Sequence, residues 1–145
     1  MAMDSKAPDS HIVVAVKGVL TYNRRALILH RQSNVGFGAN IWEFTGGKLE
    51  FGETLEGALL REVREETGLR AKVGQILYAN SLLTSPNRQI VVLNYLASAD
   101  SDKVTLSEEH QNHHWATRQE IQAMVDKDIL QAMDKFDVWQ KLPID

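Results

Sequence analysis

The sequence contains no cysteine among its 145 residues and only three prolines. Without thiols the chain has no disulfides, no cysteine nucleophile and no cysteine-ligated zinc. It also lacks a run of the roughly 18 to 20 apolar residues that a membrane-spanning helix needs, and its polar start lacks the apolar core of a signal peptide. The sequence therefore predicts a cytoplasmic protein without a membrane segment.

An excess of charge of one sign is also missing. The 16 Lys and Arg residues face 19 Asp and Glu residues, for a net charge of -3, and no basic patch stands out. A partner such as polymeric nucleic acid is thereby disfavoured. With 43% apolar and 24% charged residues the chain suits one compact domain over residues 11–145, preceded by a disordered tail or cloning-derived residues over 1–10.

Segments rich in β-branched and apolar residues, bounded by turn residues, predict strands. They cover His11–Tyr22, Ala26–His30, Ile41–Thr45, Ala71–Thr84, Gln89–Ala97 and His110–Ala116. Helices are predicted over Thr54–Thr67, from Thr117 onward and over about Ile129–Trp139. Thr54 can cap the start of the first helix, and Gly68 stands where helices commonly end. The order predicts an α/β (α+β) fold in which a mixed sheet packs between helices.

Acidic residues are concentrated between Gly47 and Leu69. Six glutamates lie there, at positions 50, 53, 56, 62, 65 and 66. At about 100° per residue, Glu62, Glu65 and Glu66 share an arc of roughly 100°, while the core-facing arc beside it carries Leu59, Leu60 and Val63. Carboxylates this close repel one another unless a cation neutralises them, and oxygen ligands suit Mg²⁺ or Mn²⁺. The pattern predicts a divalent-metal site; a solvated acidic helix face is the alternative.

The same segment resembles the signature of the Nudix hydrolases, G-x5-E-x7-R-E-U-x-E-E-x-G-U, where U is a bulky aliphatic residue. All nine defined positions match at the required spacing: Gly47, Glu53, Arg61, Glu62, Val63, Glu65, Glu66, Gly68 and Leu69. So many fixed positions make the match far more specific than a short glycine motif. The resemblance implies an α/β/α sandwich over nearly the whole chain.

The resemblance also implies a metal site. It makes Glu62, Glu65 and Glu66 ligands of Mg²⁺, with Mn²⁺ as an alternative, and adds the carbonyl of Gly46. It gives Glu53 and Arg61 a supporting role, since an Arg fork that binds carboxylates holds metal ligands in one geometry.

The implied reaction is hydrolysis of a nucleoside diphosphate linked to a group X, by attack of water on phosphorus. Mg²⁺ would neutralise phosphate charge and lower the pKa of a bound water, and a carboxylate would take the proton. Glu62 is the first choice of base. Some members of the family use a glutamate from a later loop instead, which leaves Glu108 and Glu109 open as base or extra ligand.

The segment IWEFTGGK resembles the WEFPGGK of MutT-type nucleoside triphosphate pyrophosphohydrolases, with Thr45 in place of the usual proline. It implies a nucleoside triphosphate substrate, ordinary or oxidised, cleaved to nucleoside monophosphate and pyrophosphate. Phe37, in a flexible loop, is a candidate for stacking on the base. Trp42 and Phe44 are further candidates, although aromatic residues on a short strand commonly pack in the core.

Other interpretations stay open. Pro86 stands near the place of a proline found in the ADP-ribose branch, although its SPNR setting also suits a hairpin turn. Nucleotide sugars and dinucleoside polyphosphates are further substrates, a non-catalytic nucleotide-binding module is a different class, and a homodimer is compatible with the family. A zinc site on His110, His113 and His114 is disfavoured, because the spacing fits no standard site and alternation puts the last two on opposite faces.

Overall fold

The computed structural model describes residues 9–145, so most of the predicted tail over residues 1–10 lies outside the described residues. Along the described chain lie β1 (His11–Tyr22), β2 (Arg25–Arg31), β3 (Trp42–Glu43), β4 (Thr45–Lys48), α1 (Leu55–Thr67), β5 (Ala71–Ser85), β6 (Arg88–Ala99), β7 (His110–Ala116), α2 (Arg118–Met124), α3 (Lys127–Lys135) and a 3-10 turn at Trp139–Lys141. None of the helices within residues 9–145 has the length and apolar character needed to cross a membrane.

The strands form one mixed sheet in the order β3-β2-β1-β6-β5, with β4 beside β1 and β7 beside β2. Strand β1 runs parallel to β6 along most of its length. On its other edge β1 changes neighbour: Ala15–Gly18 pair with β4, whereas only Thr21 and Tyr22 pair with β2. The predicted mixed sheet is confirmed, and this exchange of neighbours brings the Gly46-Gly47 segment to the centre of the sheet.

Two apolar clusters cover the two faces of the sheet. Alternation along β2 divides its side chains, because Leu27 and Leu29 enter one cluster and Ile28 enters the other. Helix α1 covers the first cluster through Leu59 and Val63. Helices α2 and α3 and the residues after them cover the second. The predicted sandwich of helix, sheet and helix is therefore confirmed.

The last helix differs from its prediction over about Ile129–Trp139. It begins earlier, at Lys127, because the Asp126 side chain caps it by accepting the amide of Asp128 at 3.2 Å. It ends at Lys135, and the backbone of Asp137 then turns left-handed with φ 53°. Side-chain periodicity continues through this break, which is why the pattern alone extended the helix too far.

The segment predicted as one strand over Ile41–Thr45 is two short strands. Trp42–Glu43 pairs with β2, and Thr45–Lys48 pairs with β1, so the chain crosses from one neighbour to the other at Phe44. Gly46 is required at the start of the second pairing. Its φ is +146°, and a Cβ there would lie 2.1 Å from the carbonyl oxygen of Val16.

Candidate active site

Helix α1 begins and ends on sequence signals that were predicted for it. The hydroxyl of Thr54 accepts the amide of Gly57 at 3.0 Å and caps the first turn. Gly68 adopts the left-handed conformation, with φ 73°, and its amide donates to Arg64. These caps fix where the Glu62–Glu66 turn stands against the sheet.

Arg61 lies at the centre of the acidic segment. Its guanidinium binds Glu53 through two parallel hydrogen bonds of 2.7 and 2.9 Å, and donates to the carbonyl of Lys48 at 2.9 Å. The same side chain donates to Glu62 at 3.1 Å and to Glu65 at 3.0 Å. The fork of Arg61 holds the pKa of Glu53 down at about 2. Arg61 thus ties the loop before α1 to two glutamates of the helix.

Glu62 packs directly against the backbone of Gly47. A Cβ at Gly47 would lie 2.4 to 2.6 Å from the carboxyl carbon and oxygens of Glu62, so the carboxylate fills the space that any other residue would need. The Glu62 side chain is 16% exposed. Its burial raises the pKa of the carboxyl despite the neighbouring Arg61. A carboxyl with a raised pKa is a stronger proton acceptor once ionised.

Glu66 is buried, so the three helix glutamates that share one arc are not equally exposed to solvent. Its Oε1 accepts the Thr45 hydroxyl at 2.8 Å and the Gly46 amide at 3.0 Å. Burial raises the pKa of the Glu66 carboxyl. Leu60, predicted to face the core, is 39% exposed instead. On the helical wheel Glu66 lies between Glu62 and the core-facing Leu59, so packing α1 on the sheet buries it.

Glu43 is a second buried carboxylate near Glu66, and both lie close enough to Lys17 to affect its charge. Its oxygens accept Lys17 at 3.1 Å, Arg31 at 3.3 Å and a ring nitrogen of His110 at 3.0 Å. Burial alone would raise the pKa of Glu43, but these three partners hold it at about 2. Burial likewise opposes the charge of Lys17, yet Glu43 and Glu66 keep the pKa of its ammonium above the ordinary value.

The loop before β7 brings one further acid to the site. The carboxylate of Glu109 is 58% exposed and lies 3.8 Å from Arg31, and its backbone carbonyl accepts the amide of Gln32 at 2.8 Å. Glu108 is exposed to solvent. Donor atoms of Glu66, Glu109 and His110 lie within 4.8 Å of one another.

The three glutamates predicted as metal ligands, Glu62, Glu65 and Glu66, do not all converge at one point. Within residues 9–145, the group of three acidic or histidine ligands that converges is Glu66, Glu109 and His110. Glu62 and Glu65 contact the Arg61 guanidinium instead. The predicted ligands are therefore divided: Glu62 and Glu65 bind Arg61, whereas Glu66 is buried against Thr45 and Gly46.

The aromatic candidates have different environments. Phe37 is 65% exposed in the loop between β2 and β3, as predicted. Trp42 is half-buried and stacks on His30 with ring centroids 4.8 Å apart. Trp42 also borders an open groove of about 590 Å³ whose lining includes Asn40, Gln122, Met124 and Asp126. Phe44 is 4% exposed and belongs to the core on the α2 and α3 side, which is the alternative that the sequence left open for it.

The three histidines of β7 lie in different environments. His113 pairs with Leu29 and His114 with Ile28, which places them on opposite faces as predicted. His114 contacts Glu120 at 2.8 Å, on the α2 side. His110 alone enters the buried network around Glu43.

Sequence reasoning missed the roles of Lys17, Arg31 and His110. One signal was available: Lys17 and Arg31 are cations on strands whose other residues are largely apolar. A charged residue on such a strand is buried only if it is paired. Its partner could not be identified, because Glu43 is 26 residues from Lys17 and 67 from His110 in sequence.

Comparison with known proteins agrees with this geometry. The chain is 38% identical over 78 residues to the ADP-ribose pyrophosphatase of Methanocaldococcus jannaschii, covering 54% of this chain and 43% of that protein. It is 37% identical over 82 residues to the CTP pyrophosphohydrolase of Escherichia coli K12, covering 57% and 59%. The chain thus spans less than two thirds of the length of either relative.

A solved structure extends the likeness to the whole fold. The MutT protein of Methanosarcina mazei Go1 superposes with a TM-score of 0.80 at 24% identity, over 93% of this chain and 99% of that one. A family model, that of the NUDIX domain, matches residues 11–139. With the fold, the nine-position signature and this match in agreement, the chain belongs to the NUDIX domain family.

Proposed function

We propose that the protein uses a divalent cation to hydrolyse a nucleoside triphosphate, ordinary or oxidised, to nucleoside monophosphate and pyrophosphate. One observation carries the proposal: two carboxylates with raised pKa, Glu62 and Glu66, lie against Gly47 and Gly46. Buried carboxylates without full neutralisation destabilise a fold, and they are typical of functional sites.

The donor set fits a hard divalent cation. Carboxylate oxygens of Glu62, Glu65 and Glu66 and the carbonyl of Gly46 are the oxygen ligands that Mg²⁺ prefers and Mn²⁺ accepts. The raised pKa values of Glu62 and Glu66 mean that Arg61 and Lys17 do not fully offset their burial. When bound, the cation would neutralise phosphate charge and lower the pKa of a ligated water.

The residues of the chain then position and deprotonate water. Glu62 takes the proton as the water oxygen bonds to phosphorus of the α–β anhydride, and the bridging P–O bond breaks to release pyrophosphate. Glu109 is the second candidate for this base, since its exposed carboxylate reaches the same surface. Arg61, locked on Glu53, holds Glu62 and Glu65 in place and prevents their mutual repulsion from splaying them.

A nucleoside triphosphate is favoured by the WEF segment and by the name of the E. coli relative, a CTP pyrophosphohydrolase. We assign base contacts to Phe37 and to the exposed part of Trp42, because Phe37 lies in the loop between β2 and β3 and Trp42 directly follows that loop. Aromatic rings at such positions bind bases by stacking.

ADP-ribose is the second candidate substrate, supported by the name of the M. jannaschii relative. Pro86 adds little to it, since this residue lies in the two-residue turn between β5 and β6. Nucleotide sugars and dinucleoside polyphosphates come next. A module that binds nucleotides without hydrolysis is disfavoured, because every glutamate of the Nudix signature is present.

The test is an assay of the whole chain with Mg²⁺ on ordinary and 8-oxo nucleoside triphosphates, ADP-ribose and a dinucleoside polyphosphate, with products separated by chromatography. Preferred release of monophosphate and pyrophosphate from a triphosphate supports the proposal. Turnover of ADP-ribose alone would replace the triphosphate with ADP-ribose as the proposed substrate. If no substrate is hydrolysed although nucleotides still bind, the result would favour a module that only binds nucleotides.

For its setting, we propose one domain over residues 11–145 that acts in the cytoplasm on a small nucleotide. A homodimer would be compatible with this site, because the residues assigned to it come from one chain. Light scattering of the purified protein measures the oligomeric state directly.

A further inference from the structure

His110 has one ring nitrogen engaged and one free. Its Nε2 lies 3.0 Å from Glu43, while Nδ1 is buried and has no hydrogen-bond partner within the described chain. The side chain is fully buried, so bulk solvent does not reach this atom. A buried polar atom without a partner costs roughly 1–3 kcal/mol, and so it requires an explanation such as an ion.

The hydrogen bond to Glu43 selects the tautomer of the ring. This carboxylate is held between Lys17 and Arg31, so it is ionised and can only accept hydrogen bonds. The tautomer that donates to Glu43 carries its proton on Nε2 and presents a lone pair at Nδ1. This arrangement of carboxylate, imidazole and free nitrogen is the one that orients histidine ligands of metals.

Two oxygen ligands stand next to the His110 ring. Donor atoms of Glu66, Glu109 and His110 lie within 4.8 Å of one another. Ligands that each lie about 2.1 Å from one ion are at most about 4.2 Å apart, so a small movement of the exposed Glu109 carboxylate would bring the set together. The bonds that Glu66 makes to Thr45 and Gly46 use Oε1, which leaves Oε2 available. Glu109 is exposed on one side and could close over an ion.

We propose that His110, Glu66 and Glu109 form a mixed nitrogen and oxygen site for a divalent transition-metal ion such as Mn²⁺ or Co²⁺. This inference rests on the proposed function, because the site shares Glu66 with the oxygen-only site assigned there. It differs in chemistry: an imidazole ligand suits a transition metal, whereas Mg²⁺ prefers oxygen alone. The protein should therefore bind Mn²⁺ and Co²⁺ more tightly than Mg²⁺.

The test is electron spin-echo spectroscopy of the full chain loaded with Mn²⁺ alone. A coordinated imidazole gives ¹⁴N modulation of the echo, which changes to the ¹⁵N pattern when the protein is labelled with ¹⁵N-histidine. Bound Mn²⁺ without nitrogen modulation in the unmodified protein would overturn the proposal. This result needs no variant and no substrate, so it is independent of the assay for hydrolysis.

Variants distinguish the proposed role of His110 as a metal ligand from its hydrogen bond to Glu43. In His110→Gln the amide nitrogen still donates to Glu43, but the second ring nitrogen is gone. We expect loss of the modulation and at least ~10-fold weaker Mn²⁺ binding, with a smaller change for Mg²⁺. His113→Gln, the same substitution on the same strand outside the cluster, should retain both. Modulation that persists in His110→Gln would contradict the assignment.

Glu109→Gln gives a further check on an exposed residue whose replacement should not disturb folding. We expect weaker Mn²⁺ binding with the nitrogen modulation retained, because His110 is still present. Unchanged Mn²⁺ affinity would remove Glu109 from the site. If nitrogen coordination is found but no nucleotide is hydrolysed, the metal site stands and the proposed function fails. If nucleotide is hydrolysed without nitrogen coordination, the proposed function stands and the mixed site fails.

Discussion

Glu43 and Glu66 are both almost fully buried, at 6% and 3% exposure, yet their environments are opposite. Glu43 is bound by Lys17, Arg31 and His110, and its pKa falls to about 2. Glu66 accepts hydrogen bonds from a hydroxyl and an amide, and burial raises its pKa although Lys17 is near.

The difference indicates that Glu43 serves stability and that Glu66 is free to serve function. Around Glu43 the chain supplies its own cations, so the carboxylate belongs to the framework that joins β1, β2, β3 and β7. At Glu66 the compensation is incomplete, so the carboxylate is available to a cation from solution. Two buried charges of the same type can thus be assigned different roles from their partners alone.

The largest expected effect comes from breaking the Glu43 side of the comparison. Glu43→Gln leaves Lys17 and Arg31 largely buried without their nearest counter-charge, so we expect the free energy of unfolding at neutral pH to fall by about 3–5 kcal/mol in urea titrations. Asp145→Asn is the control, since it removes an exposed partner of Arg24 and should leave stability almost unchanged. A loss at Glu43 as small as that of the control would show that the network is not structural.

Acid should erase the same contribution. With a pKa of about 2 in the fold against an ordinary 4.5, Glu43 stabilises the protein fully above about pH 4.5 and loses this effect as the pH falls toward 2. The change is on the order of 3 kcal/mol. For Glu66 the sign is reversed, because its raised pKa means that protonation lifts a penalty. The stability difference between wild type and Glu43→Gln, measured by urea unfolding at decreasing pH, should therefore shrink.

Glu66→Gln tests the functional side. We expect turnover with Mg²⁺ to fall at least ~100-fold, because a charged ligand is lost. Unfolding free energy without added metal should not decrease, since the amide keeps its bonds to Thr45 and Gly46 and no charge is buried. Glu65→Gln should lose turnover similarly. Glu56→Gln, on the exposed first turn of α1, is the control. Near-normal activity in both Glu65→Gln and Glu66→Gln would contradict the metal assignment.

Arg61→Lys is expected to have the smallest effect of these variants, and it tests how the glutamates are held in place. Lysine cannot fork onto Glu53 while reaching Glu62 and Glu65, so we expect kcat/KM to fall by roughly 10-fold with little change in stability. Arg64→Lys, one turn along on the exposed face, should be neutral. Equal activity in the two variants would argue that the fork does not position the glutamates.

Local signals explain how much could be predicted. The caps at Thr54 and Gly68 and the spacing of the signature defined α1, and apolar alternation defined the sheet and its two covering layers. These features depend on neighbours within a few residues, which is the range over which periodicity and capping act. The two short strands around Phe44 were merged because their division depends on which partner strand each one meets.

The interior of the site lay beyond such signals. The burial of Glu66 depends on how α1 docks, and the partners of Glu43 come from three distant strands. Phe44 and Trp42 are two residues apart, yet one is core and the other borders a groove, because α2 and α3 cover only part of that face. Contacts of this kind follow from topology, which a single sequence does not reveal.

The contact between Gly47 and Glu62 has a consequence for how such a protein can vary. A methyl group at position 47 would meet only the end of a flexible side chain, so the fold could absorb Gly47→Ala by turning the carboxylate aside. Such a variant would be expressed, fold and melt normally, and yet carry a misplaced proton acceptor. The glycine and the glutamate fifteen residues later are therefore expected to covary across relatives, and selection for stability alone would not detect the loss of either.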